Sequence, residues 1–203
     1  MVFPLRTATG EDVDALSATV AAAFASEAGW GYMLGRSNVD GMRAFARALL
    51  IPKIRRGTVW VTDDCLSLSM WDRRSTDRPS DHDHESLWAG CRAAIGEDAW
   101  QRIATYDAAV DAAAPARPFW YLEVLATHPD AQGQGRATDL LRPGFEIADA
   151  NTWDCWLETS EPANKAYYEA RCFTESREFK VPGGPTTWWM RRRPGSGLPL
   201  AQQ

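Results

Sequence analysis

"HPDAQGQGRATDLL", residues 128–141, sets two glycines one residue apart between a proline and an apolar run. Backbone that bare at the start of a helix suits an anion. Small residues let successive N–H groups converge on oxygen atoms, and the helix dipole adds partial positive charge. The spacing decides which anion loop this is. A dinucleotide loop reads G-x-G-x-x-G with an acid about 20 positions on. Here Thr138 holds the third glycine's place, and no such acid is clear. A P-loop needs a lysine after its last glycine, and none is present. The pattern that fits is Q/R-x-x-G-x-G/A, as Gln132-Gly133-Gln134-Gly135-Arg136-Ala137.

The flanks extend the reading. "FWYLEVLAT" (119–127) is an apolar run of strand length, as a buried central strand requires. After the loop, Ala137, Leu140, Leu141, Gly144, Phe145 and Ala148 fall on one helical face. "WDCWLETS" (153–160) reads as a strand and "EPANKAYYEAR" (161–171) as a helix. "FTESREFKV" and "TTWWMRRR", joined by "PGGP", read as a closing hairpin. That order predicts a βαβ unit on a mixed sheet. In the first half, "FPLRTA" is a short strand, and Thr9 with Asp12 caps a helix carrying Val13, Leu16, Val20, Ala23 and Phe24. A second helix covers 39–54, and "TVWVTDDCLSLSMW" (58–71) is a hairpin turning at Asp63 and Asp64. A polar loop (72–84) leads to one helical region ending near Ala114, and 29–38 carries no readable motif.

Composition bounds the function. A chain of 203 residues, 45% hydrophobic and 24% charged, suits one globular domain with a sizeable core. A net charge of -5 argues against phosphate-led nucleic-acid binding. The cluster Arg191–Arg193 reads as the solvated end of a last strand. No signal-peptide pattern and no 18-residue apolar run is seen, so a cytoplasmic protein is expected, without a membrane partner. Cys65, Cys91, Cys155 and Cys172 form no C-x-x-C pair, and neither zinc nor a disulfide framework is indicated. "DHDHE" (81–85) reads as a solvated loop, His128 as a loop residue, and no metal is expected. Of the ten tryptophans, most are expected in the core and a few to line a pocket for a flat or apolar ligand.

Together, the glycine loop after an apolar strand and "NKAYYEARCF", which follows N-x-x-x-Y-x-x-x-G-F, resemble the GNAT superfamily of acyl-CoA-dependent N-acyltransferases. The placement of "WLETS" and "MRRRP" is similar. With "GTVWVTDD", "LLRPGFEIADA" and "VPGGPTTWWM", residues 3–193 resemble puromycin N-acetyltransferase-like enzymes. The resemblance implies an α/β fold: a mixed, mostly antiparallel, twisted sheet of about seven strands flanked by helices. It implies one domain over 1–193 with a flexible tail over 194–203. It further implies acetyl-CoA as co-substrate and a small-molecule amine as acceptor, such as an antibiotic or natural product, in a monomer or homodimer.

Residue roles follow from the same resemblance. Gln132, Gly133, Gln134, Gly135, Arg136, Ala137 and Thr138 would cradle the pyrophosphate. Leu125, Ala126 and Thr127 would meet the pantetheine arm through their backbone, an N–H near Leu125 facing the thioester oxygen. Asn164 would touch the pantetheine or phosphate region, and Tyr168 would be the general acid. For the base, Glu123 comes first: a carboxylate inside an apolar run is costly unless paired or working. It is expected to face the same way as Leu125 and Thr127. Glu158 comes second. Cys172 departs from the pattern, standing where a glycine would adopt a left-handed backbone cheaply, so either the turn is remodelled or strain is stored. Two other readings stay open: a sensor that binds coenzyme A or a metabolite without transfer, and a fold reused for natural-product chemistry without coenzyme.

Overall fold

The computed structural model describes residues 3–75 and 84–197. These divide into β1 (Leu5–Thr7), α1 (Val13–Phe24), α2 (Ala28–Leu34), α3 (Val39–Arg55), β2 (Val59–Thr62), β3 (Ser67–Arg74), α4 (His84–Ile95), α5 (Glu97–Ala113), β4 (Phe119–Thr127), α6 (Arg136–Ala150), β5 (Cys155–Thr159), α7 (Pro162–Glu169), β6 (Glu175–Lys180) and β7 (Thr186–Arg192). The strands form a seven-stranded sheet in the order β1-β2-β3-β4-β5-β7-β6. Every neighbouring pair is antiparallel except β4 and β5. Parallel neighbours need a crossover, and α6 supplies it. The mixed sheet flanked by helices is the architecture expected from the sequence.

Two features of β4 shape the site. Its pairing with β5 runs only through Trp120 with Cys155 and Tyr121 with Trp156, and beyond those pairs the strands part. Its register with β3 jumps between Met70, opposite Val124, and Trp71, opposite Leu122. Glu123 therefore sits at a bulge, which breaks the alternation of faces. Leu122 and Leu125 join the apolar cluster beneath α6, whereas Val124 and Ala126 join the cluster beneath α1 and α3. The expected shared facing of Glu123 with Leu125 and Thr127 fails for that reason: the Glu123 carboxylate reaches Lys53 of α3.

The α6 face is set by Trp71. A Cβ on Gly144 would lie 2.2 Å from the Trp71 indole, so the bare helix backbone lets that ring lie against it. Trp71 stacks on Trp120 with ring centroids 5.9 Å apart and meets Phe145 edge-on at 6.0 Å. Thr9 and Asp12 form the expected capping box ahead of α1.

Three sequence expectations change. The helical region before 114 is two helices, divided where Gly96 takes φ 84°. The stretch 29–38, unreadable in sequence, holds all of α2 but its first residue. Of the arginines closing the chain, Arg193 is exposed as expected, but Arg192 is not. It is 0% exposed, because it faces α6, with its guanidinium 4.2 Å from the Phe145 ring centre, and it donates to both Asp149 oxygens at 2.8 and 2.9 Å. Among the described residues, no helix is long and apolar enough to cross a membrane.

Candidate active site

Gly135 is the N-cap of α6 with φ 82°, and Gly133 has φ 76°. Side chains rarely adopt that backbone. A Cβ on either glycine would meet nothing within 4 Å, so the space above the loop is open. No side chain caps the helix; the Thr138 N–H turns back to the Gly135 carbonyl at 3.1 Å, which leaves the N–H groups ahead of it for an anion. The cradle thus fits a pyrophosphate. Its neighbours are braced. Arg136 donates to Asp64 at 2.5 Å and to Gln134 at 3.1 Å, with its guanidinium 4.5 Å from the Phe3 ring centre. Burial would raise the Asp64 carboxyl, but bonds from Arg136, Thr62 and the Leu66 N–H hold it down to about 2. Thr138 accepts from Arg171 at 3.0 and 2.9 Å. Gln132 donates to the Thr127 carbonyl at 3.2 Å.

Where β4 and β5 part lies a chamber of about 1030 Å³. Glu123 and Leu125 line it from β4, Glu158 from β5, and Asn164 and Tyr168 from α7. Five candidates from three elements thus share one cavity, while Ala126, Thr127 and the cradle from Gln132 to Thr138 do not line it. Trp30, Trp88 and Trp100 do.

The two candidate bases sit in different settings. Glu123 is ion-paired with Lys53, itself 6% exposed, and with Arg74 at 3.3 Å. Glu158 accepts a 2.5 Å hydrogen bond from the Tyr121 hydroxyl. Burial pushes the Glu158 carboxyl up to about 7. The Tyr121 bond and the Arg74 charge oppose that rise, and the Glu123 charge adds to it. Arg74 also lies over the Tyr121 ring, 4.6 Å from its centre. Tyr168 packs edge-on against Phe173 at 5.7 Å, and burial raises its phenol so that it keeps its proton throughout the neutral range.

Sequence reading missed a third carboxylate in this chamber. Glu27 caps α2, accepting from the Trp30 N–H at 2.7 Å, and burial raises its carboxyl against that bond and the Gly29 N–H. A Cβ on Gly29 would meet Ser160 Oγ at 3.1 Å and both Glu27 Oε2 and the Tyr106 hydroxyl at 3.2 Å. The bare position lets those polar groups converge. The available signal was an acid three residues before Trp30, at a helix start.

Cys172 takes φ 70°, so the left-handed turn is kept and the strain is stored. His128 accepts from the Asp130 N–H at 3.3 Å in the turn after β4. Among the described residues, no group of three or more His, Cys, Asp or Glu could hold a metal. Asp81, His82 and Asp83 of "DHDHE" lie outside the described residues.

Residues 64–172, which contain the cradle, the parted strands and most of the chamber's chemistry, match the model of the acetyltransferase (GNAT) family. The chain belongs to that family. Solved structures share the fold of this N-acetyltransferase. One, described as histone acetyltransferase HPA2 and related acetyltransferase from Corynebacterium glutamicum, is 20% identical with TM-score 0.66, covering 99% of this chain and 100% of that one. Arylalkylamine N-acetyltransferase 2 from Aedes aegypti is 11% identical with TM-score 0.66, covering 94% and 98%. The Drosophila melanogaster polyamine N-acetyltransferase, which forms N-acetylagmatine, is 11% identical with TM-score 0.65, covering 94% and 99%. The family uses acetyl-CoA.

Proposed function

We propose that this enzyme acetylates a primary amine of a small molecule, with Glu158 as general base and Tyr168 as general acid. The observation that carries the reading is the shared chamber at the parting of β4 and β5, where a carboxyl near neutrality and a protonated phenol both face the cavity. An alkylammonium has a pKa near ~10 and must lose a proton before its nitrogen can attack. Glu158, ionised above about 7, takes that proton. When bound at the cradle, acetyl-CoA supplies the activated thioester. Tyr168 holds a proton at its hydroxyl for the departing thiolate, and the buried Lys53–Glu123–Arg74 cluster holds the chamber wall in place.

The motifs resembling puromycin N-acetyltransferase-like enzymes support an antibiotic or other natural product as acceptor. The structural neighbours named for arylalkylamines and agmatine support an amine in general. Residues 1–193 would act as one catalytic domain in the cytoplasm, as monomer or homodimer. The test is acetyl-CoA with an amine panel that includes puromycin, followed by thiol release and mass spectrometry of the products. Transfer to an amine supports the proposal. Coenzyme binding with no thiol release on any amine favours a sensor, and no coenzyme binding favours other chemistry.

A further inference from the structure

The chamber is wider than a short alkyl amine needs, and its wall is not uniform. Five aromatic rings from five helices touch in sequence along it. Phe24 meets Trp30 at 4.7 Å between centroids, Trp30 meets Phe45 edge-on at 5.1 Å, Phe45 meets Trp88 at 5.7 Å, and Trp88 meets Trp100 at 6.0 Å. All five line the same cavity as Glu27 and Glu158. Rings that already meet edge-on leave edges and faces for one more ring, the geometry aromatic groups prefer. Glu27 stands at the foot of this row, its carboxylate accepting from the Trp30 N–H at 2.7 Å. The Tyr106 hydroxyl bonds Ser160 at 3.2 Å, and both surround the Gly29 position beside the Glu27 carboxylate.

We infer that the acceptor is a primary amine carrying an aromatic ring, with the ring lodged on the row from Trp30 to Trp100 and the ammonium drawn to Glu27 and Glu158. This rests on the acetyl-transfer reading and narrows it. The cavity of about 1030 Å³ is shared with the coenzyme arm at Leu125, Asn164 and Tyr168, and in the part left to the acceptor an unbranched alkyl chain would leave most of the aromatic wall uncovered.

The test compares kcat/KM for 2-phenylethylamine, n-hexylamine and agmatine with saturating acetyl-CoA. The aryl amine is expected to exceed both others by about tenfold or more, since the ring buries apolar area and adds aromatic contacts. Trp88→Leu, with Phe45→Leu as a second variant, should collapse that ratio toward one. The wild-type ratio decides the question even if neither variant folds. Transfer that proceeds equally well or better to hexylamine or agmatine overturns the aromatic assignment and leaves acetyl transfer standing. A ratio that survives Trp88→Leu and Phe45→Leu in folded protein overturns the assignment of the wall. No product from 2-phenylethylamine while a non-aromatic amine of the wider panel is acetylated overturns the inference alone, and no product from any amine of that panel overturns it together with the reading it rests on.

Discussion

The Tyr121 hydroxyl donates to Glu158 across 2.5 Å from the neighbouring strand, just where β4 and β5 cease to pair. That bond favours the ionised carboxylate against the burial that raises it to about 7. Tyr121→Phe therefore lifts the Glu158 pKa further. The acid limb of kcat/KM should move to higher pH, while the plateau near about pH 9 changes little. The folded-state value lies above the ordinary glutamate range. Glu158 therefore contributes stability at low pH that is lost as pH rises through about 7. A pH–rate profile whose acid limb stays in place would dissociate Glu158 from the rate.

Glu123→Gln separates the two carboxylates. The Glu123 charge raises Glu158, and without it Arg74 is left to favour the Glu158 anion. The limb should move to lower pH, with plateau turnover kept within several-fold. The same substitution leaves buried Lys53 without its counter-charge, which costs about 3–5 kcal/mol when one partner of a buried pair is removed, so Tm should fall. Loss of about a hundredfold or more in folded protein is what general-base removal gives. That outcome would return the base to Glu123.

Gly135→Val probes the cradle by binding alone. The position has φ 82°, and open space lies above it. A branched side chain would fill the place of a phosphate oxygen and strain the left-handed N-cap, at about 1–2 kcal/mol. Coenzyme A affinity by calorimetry should drop about thirtyfold, corresponding to ~2 kcal/mol of lost N–H contacts. Unchanged affinity in a folded variant would remove the phosphate site from this loop.

Cys172→Gly should stabilise the protein. The residue holds φ 70°, which a side chain tolerates poorly and glycine freely. Relief of strain, less the entropy glycine loses on folding, leaves about 1 kcal/mol, or a Tm rise of about 2–4 °C for a domain this size. Thermal unfolding reads this directly. A lower Tm would mean that the thiol's packing outweighs the strain.

Sequence reading reached the fold through its most periodic parts. The apolar β4, the amphipathic α6 and the β6–β7 hairpin each carry a local pattern that tertiary context reinforces. It stopped where structure depends on a partner. The Glu123 bulge belongs to two strands in register, Met70 and Trp71 facing Val124 and Leu122, and nothing in "FWYLEVLAT" alone encodes it. Helix α2 holds two glycines in seven residues, too little intrinsic propensity to stand out, and its capping acid Glu27 is fixed by the Trp30 N–H. Arg192 read as solvent-facing because its partner, Asp149, lies in α6, 43 residues earlier. Glu27, Glu123 and Glu158 come to one chamber from α2, β4 and β5, a proximity no spacing rule reports.

Arg74 and Phe119 pair as the last rung between β3 and β4, and the chain that carries Trp88 and Trp100 leaves the sheet and returns between them. That excursion is no loose loop: Cys91, Ile95, Ala99, Ile103 and Tyr106 are buried in the same core as Leu16, Met42 and Val61. The acceptor wall is therefore made of the hydrophobic core itself. A descendant that rewrote Trp88 or Trp100 would have to repack around those anchors, so choice of acceptor and stability are bound together in this fold.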